Sequence, residues 1–187
     1  LTFITVPMHF AVLIVFTWLI GTQSLSVWST IVVAIIAGGY SGLGINTAHE
    51  LGHKNTKLEQ WLARIVLAVP AYGHFSIEHN KGHHTLVATP DDPASSRLGE
   101  SIYAFAIREI SGTFKRGWQL EKDRLENANQ NTWSHHNTIL QSYGVTLLFQ
   151  GSLVFYFGWI VLPFLMLHNV WAWYQLTSAN YIEHYGL

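Results

Sequence analysis

Six histidines fall into three groups along this chain: His49-x3-His53, His79-x3-His83-His84 and Glu183-His184. Imidazole holds a redox-active metal while staying neutral, and two groups at helical spacing are hard to explain as packing. In His49-Glu50-Leu51-Gly52-His53 the rings stand at i and i+4, so they share one helical face and can bind one ion. In Glu78-His79-Asn80-Lys81-Gly82-His83-His84 the same spacing pairs His79 with His83. His84 then lies about 100° further round, turned toward a different metal or coordination position. Five imidazoles exceed the need of one four-coordinate site, so a dinuclear centre is the economical reading. Ligating histidines usually donate their second ring nitrogen to a neighbouring acceptor. Glu50, Glu78, Asp91 and Glu183 are near in sequence and are candidates for that role, and His74 lies close enough to the second group to join them.

The other histidines read differently. His9 and His168 stand alone in apolar runs, where a histidine is ordinarily a hydrogen-bonded packing residue. His135-His136 resembles half of a histidine box, but Asn131 and Thr132 hold the upstream position, so the two are expected to be a loop pair without ligand role. Zero cysteines exclude disulfides and thiolate ligands.

The elements that must position these groups are apolar. Charged residues make up 11% of the chain against roughly 25% in a typical soluble domain. None occurs before Glu50 and none between Glu126 and Glu183, while all ten basic residues lie between Lys54 and Arg124. Thr2–Ile20 and Val27–Ala48 are apolar runs of about 20 residues, enough to cross a hydrocarbon core of about 30 Å. The second uncharged block holds two more, at about Leu140–Gly158 and Leu162–Ala179, turning near Gly158-Trp159 and Pro163. Runs this long and numerous, without a basic leader, argue against a signal peptide. The fold class is therefore all-α: a polytopic transmembrane helix bundle of about four crossings. Gly38-x3-Gly42, with Gly39 and Gly44, predicts close helix packing just before the first histidine group.

The positive-inside rule puts the basic segment in the cytoplasm. Ile65–Ile77 is too short for a crossing, contains Pro70 and has basic residues on both flanks, so a re-entrant or interfacial segment is expected. With that topology all three histidine groups arrive at the cytoplasmic face. Arg108–Glu126 then reads either as a docking surface for an acidic electron carrier or as an ordinary solvated amphipathic helix.

His49-Glu50-Leu51-Gly52-His53-Lys54, Glu78-His79-Asn80-Lys81-Gly82-His83-His84 and Asn180-Tyr181-Ile182-Glu183-His184-Tyr185-Gly186-Leu187 resemble the histidine motifs of bacterial membrane-bound alkane monooxygenases. These are alkane omega-hydroxylases within the wider membrane fatty-acid desaturase and hydroxylase group. Residues 88–97 and 175–180 are similar to the same family, and the resemblance covers essentially the whole chain. It implies a non-haem di-iron enzyme that hydroxylates the terminal carbon of n-alkanes with dioxygen and electrons from rubredoxin and its reductase. It implies His49, His53, His79, His83, His84 and His184 as ligands of two irons, with no catalytic residue beyond them. A bacterial inner-membrane location follows, with the metal site toward the cytoplasm and no nucleic-acid partner. The family also has a further His-x2-His-His box and additional helices, so residues 1–187 are expected to be one membrane-embedded domain, incomplete at both ends and inactive alone.

Three other readings stand beside it. His49-Glu50-x2-His53 satisfies the His-Glu-x-x-His pattern of a membrane zinc protease with Glu50 as general base, but leaves the other two groups unemployed. A related desaturase or hydroxylase acting on fatty acyl chains differs mainly in substrate. A haem carrier or metal transporter needs fewer histidines than are present.

Overall fold

The computed structural model describes residues 2–186, with the backbone alone for Thr2. Every regular element among them is helical. In chain order these are α1 (Thr2–Thr22), α2 (Val27–Gly52), α3 (Lys57–Leu67), α4 (Phe75–Glu78), a π-helical turn (His79–His83), α5 (His84–Leu86), α6 (Ile102–Asn127), α7 (Thr138–Phe157), a 3-10 turn (Trp159–Val161) and α8 (Leu162–Glu183). The starts are set by local chemistry. Ser26, Thr56 and Ser101 each accept an N–H three residues on, from Ser29, Glu59 and Ala104, as helix N-caps do.

The chain divides into two compact units, one made of the residues up to Tyr72 with Ser142–Trp173, the other of Gly73–Gln141 with the residues from Tyr174 onward. In the first unit Leu13 and Ile20 of α1, Ala34 and Ala37 of α2, Leu153 of α7, Phe164 and Leu165 of α8, and Val69 form the core. Gly38 permits the tightest approach: a Cβ there would stand 2.7 Å from the His168 carbonyl oxygen and 3.0 Å from Cβ of Trp171. His168 itself is buried, with Nε2 2.8 Å from Ser41 Oγ and Nδ1 2.9 Å from Asn169 Oδ1. His9 is buried against Tyr40 at 4.7 Å between ring centres. Both therefore sit in helix packing.

The outer surface of this unit is apolar as well. Trp18, Ile36, Leu43, Leu147, Leu148 and Phe155 are all exposed, an arrangement suited to lipid and not to water. By length and composition α1, α2 and α7 can cross a membrane. The expected fourth crossing, α8, is 22 residues long but less apolar than α7, because His168, Asn169, Gln175 and Asn180 interrupt it. α2 runs four residues past its expected end, and this extension contains His49.

Between α3 and the unit boundary the chain leaves helical geometry. Ala71 adopts φ 55° and the Tyr72 N–H donates to the Leu67 carbonyl at 2.9 Å. Non-helical backbone survives in an apolar setting only where protein groups satisfy it, and here they do. Ser142 and Thr146 donate to the carbonyls of Arg64 and Ala68 at 3.0 and 2.9 Å. Gln150 and Trp173 donate to those of Val69 and Pro70 at 2.8 and 2.7 Å. Ser142, Thr146 and Gln150 recur every four residues, so one polar stripe on α7 serves three of these carbonyls and Trp173 of α8 serves the fourth.

In the second unit, the interior face of α6 carries charge. Glu121 is fully buried, accepts both Arg124 donors at 2.7 and 2.8 Å, and accepts the Thr138 N–H at 2.6 Å where α7 begins. Arg108, Glu109 and Arg116 are also turned toward the rest of the unit. Neither expectation for Arg108–Glu126, docking surface or solvated helix, anticipates these inward charges. The outward face keeps Lys115, Asp123 and Glu126.

Candidate metal centre

The end of α2 presents His49 and His53 one turn apart, and their Nε2 atoms lie 2.9 Å from each other. That is the paired presentation expected from the spacing. Glu50 is exposed and its carboxylate stands 3.8 Å from His49 Nδ1, beyond hydrogen-bond reach.

The second group departs from expectation. Residues 79–83 form a π-helical turn, which needs one more residue per turn than an α-helix. This brings His79 and His84 together, Nε2 to Nε2 at 3.0 Å. His83, expected to share an ion with His79, stacks its ring on that of His79 with centres 5.3 Å apart and directs its Nδ1 elsewhere. Its Nδ1 lies 2.9 Å from Asp92 Oδ2, and its ring centre is 4.9 Å from that of His184. The reason is geometric: the wider π-helical turn makes i+5 a nearer neighbour than i+4, with ring centres 4.5 Å apart for His79/His84 against 5.3 Å for His79/His83.

A buried polar network fixes that side. Asp92 is 1% exposed and accepts from His83, from the Ser95 hydroxyl at 2.6 Å and from Arg116 Nη2 at 2.8 Å. Arg116 also donates to the buried carboxylate of Glu78. Burial alone would raise the Asp92 carboxyl. The hydrogen bonds from His83, Ser95 and Arg116 outweigh it and hold the group well below the usual carboxylate range. A permanent anion on Nδ1 of His83 keeps the proton there and leaves Nε2 as the lone-pair donor. Gly82 is required in this turn, since a Cβ would lie 2.6 Å from Arg116 Nε and 3.1 Å from Glu78 Oε1. Burial lowers the His184 imidazole, with the nearby His83 adding to the effect and Glu183 and Asp92 opposing it, which favours the neutral form that a metal ligand needs.

The sequence candidates for supporting roles separate on these facts. Glu78 supports Arg116 and not a histidine. Asp91 is exposed, and its backbone carbonyl accepts from Arg116 Nη1 at 3.5 Å. Asp92, the next residue, is the carboxylate on His83; two adjacent acids in a loop carry no periodicity to tell them apart. His74 is buried against Phe114 with ring centres 5.3 Å apart. Glu183 is exposed on the last turn of α8. His135 and His136 are exposed in the loop before α7, their rings 3.9 Å apart and their carbonyls accepting from Gln141 and Arg124. Replacing both with Ala should leave bound metal within about twofold of the parent by elemental analysis, since a loop pair supplies no ligand; a loss as large as that of a supporting residue, about tenfold or more, would reverse that assignment.

The profile of the fatty acid desaturase family matches residues 26–187. The chain belongs to that family. Three relatives, each an alkane 1-monooxygenase, align along the whole chain. Those from Pseudomonas putida and Ectopseudomonas oleovorans are each 54% identical over 187 residues, and the one from Alcanivorax borkumensis is 51% identical. The chain covers 46% of the first and third and 47% of the second, so it spans about half the length of the curated relatives it matches. Family and apolar helices together make this desaturase-family chain a membrane protein. Within each unit its paired imidazoles, together with the family, suggest metal binding.

Proposed function

We propose that this chain is the histidine-bearing part of a membrane di-iron monooxygenase that converts n-alkanes to 1-alkanols. The reading rests on the paired imidazoles His49/His53 and His79/His84, each with ring nitrogens about one coordination sphere apart, in a chain similar over its full length to alkane 1-monooxygenases. His49 with His53 and His79 with His84 would each offer a pair of ligands, and His83 with His184 would supply further ones. Nitrogen donors with no thiolate suit iron, and a dinuclear set suits dioxygen chemistry. Bound iron would supply the redox chemistry for inserting one oxygen atom into a C–H bond, with two electrons and two protons reducing the other to water.

The protein's own groups do the rest. Asp92 would orient His83 and fix its tautomer, while the hydrogen bonds from His83, Ser95 and Arg116 keep Asp92 ionised. Apolar helices carry a substrate with no polar handle from the lipid in which it is already dissolved. Electrons would come from rubredoxin, with its reductase, at the cytoplasmic side of the inner membrane, the side to which the basic segment points.

The test uses the complete membrane protein with rubredoxin, its reductase, a medium-chain n-alkane and isotopically labelled dioxygen. The expected product is the 1-alkanol carrying one labelled oxygen. Exclusive oxidation at internal carbons, or desaturation of a fatty acyl substrate with the alkane untouched, would move the protein to the related lipid-modifying enzymes.

A further inference from the structure

Arg108 and Glu109 are neighbours on α6, and neither belongs to a histidine motif. Arg108 donates from Nε and Nη2 to the Glu100 carboxylate at 2.9 and 2.7 Å, and from Nη1 and Nη2 to the carbonyls of Pro93 and Ser95 at 3.1 and 2.9 Å. Those contacts fasten the loop after Asp92 onto α6. The same loop then grips the end of α8. Ser96 Oγ donates to the Tyr181 carbonyl at 2.9 Å and the Gly186 N–H donates to the Ser96 carbonyl at 3.0 Å. The Tyr181 hydroxyl donates to the Glu100 carbonyl at 2.6 Å, and the Gly99 N–H donates to the Tyr185 hydroxyl at 3.0 Å.

Glu109 reaches α8 directly. Fully buried, it accepts at Oε1 from Asn180 Nδ2 at 2.5 Å. Its Oε2 and the hydroxyl oxygen of Thr177, three residues before Asn180, are both buried, and among the described residues neither makes a hydrogen bond of full geometry, although Thr177 is near enough to act on the carboxyl. Burial pushes this carboxyl up to about 7 against the opposing pull of Thr177 and Asn180; Glu78 adds to the rise and His83 opposes it. The neutral acid has an O–H to offer Thr177, which the carboxylate lacks.

These ties matter because α8 supplies little at its own end. Its last turn has no basic residue and instead carries Glu183, the unfavourable sign for a helix C-terminus. The terminal carbonyls need partners, and Ser96 provides one for Tyr181. His184 lies inside this gripped segment, between Tyr181 and Tyr185.

We propose that Arg108 and Glu109 are positioning residues for His184: Arg108 acts through the loop from Pro93 to Glu100, Glu109 through Asn180, and together they hold the end of α8 so that His184 is presented beside His83. The assignment rests on the reading of His184 as a metal ligand. Metal titration of the complete, metal-stripped protein with ferrous iron and with cobalt(II), whose visible spectrum reports coordination, tests it. Glu109→Ala and Arg108→Met should each weaken the metal that His184 serves by about tenfold or more, the range for lost supporting partners, with helical content unchanged. Glu109→Gln keeps a neutral acceptor for Asn180 and a donor for Thr177, and should restore binding to within about threefold of the parent.

The pH profile adds a second readout. With a folded value raised to about 7, the stabilising neutral form is fully present below the ordinary carboxylate range and is lost as pH rises through about 7. Folding stability of the metal-free parent relative to Glu109→Gln, read by denaturant unfolding, should therefore fall as pH rises through about 7. Parent-like titration and cobalt spectrum in both Glu109→Ala and Arg108→Met would overturn the proposal, as would a Gln variant no better than Ala. His184→Ala is the control that separates the two claims. If it binds metal like the parent, the ligand reading falls; if it loses metal while Glu109→Ala and Arg108→Met do not, only the positioning role falls.

Discussion

Ala in place of His79 or of His84 is expected to weaken metal binding by the complete protein beyond the range of about 10–100-fold that follows loss of a supporting partner. The two losses should also be strongly coupled. Their Nε2 atoms are 3.0 Å apart across the π-helical turn, so one ion would draw on both, and removing the first ligand leaves less for the second removal to take away. Groups sharing a partner fail additivity in this way, whereas separated groups approach it. His83 stacks on His79 at 5.3 Å between ring centres but directs its Nδ1 to Asp92, so the His79/His83 pair should be coupled more weakly than the His79/His84 pair. Metal titration of the single and double variants measures both couplings. The opposite order would restore the α-helical pairing of His79 with His83.

Asp92→Ala carries the second large effect. Two functions of one carboxylate disappear together: the acceptor that orients His83, and half of the anionic partnership around Arg116. The first loss should lower affinity for the metal served by His83 by about 10–100-fold. The second leaves a mostly buried guanidinium with Glu78 alone, which on the pattern of broken buried pairs destabilises by on the order of 3 kcal/mol. Asp92→Asn should separate the two, because an amide oxygen still accepts from His83 while the charge opposite Arg116 is gone. Denaturant unfolding of the metal-free protein reads the stability change, and metal titration reads the affinity. An Asp92→Ala protein with both quantities unchanged would remove Asp92 from the site.

Much of this arrangement is legible in the chain before any coordinate is known, and the exceptions share a cause. α1, α2, α7 and α8 begin at or within two residues of where hydropathy places them, because a run of about 20 uncharged residues has few other stable fates beside a membrane. His49 and His53 pair as their spacing demands. The second group misleads because converting spacing to direction assumes about 100° per residue, and nothing in Asn80-Lys81-Gly82 announces a wider turn. Only Gly82 hints at it, as the position where Arg116 and Glu78 leave no room for a side chain. The inward charges of α6 were hidden for a different reason. Arg108, Glu109, Arg116 and Glu121 are interleaved with outward charges, so composition alone gives the helix a polar exterior. Ser142, Thr146 and Gln150 stand at a four-residue period that the sequence reading leaves without a role, because their partners are carbonyls freed around Pro70, far off in the chain.

The π-helical turn also bears on imitation. A designer who grafts residues 79–84 onto an ideal straight helix would reproduce every side chain and still build the wrong ligand set. His79 would face His83, His84 would point away, and Asp92 would have no imidazole to hold. Copying the site requires copying the distortion, with Gly82 as its hinge and the Arg116 pair as its brace.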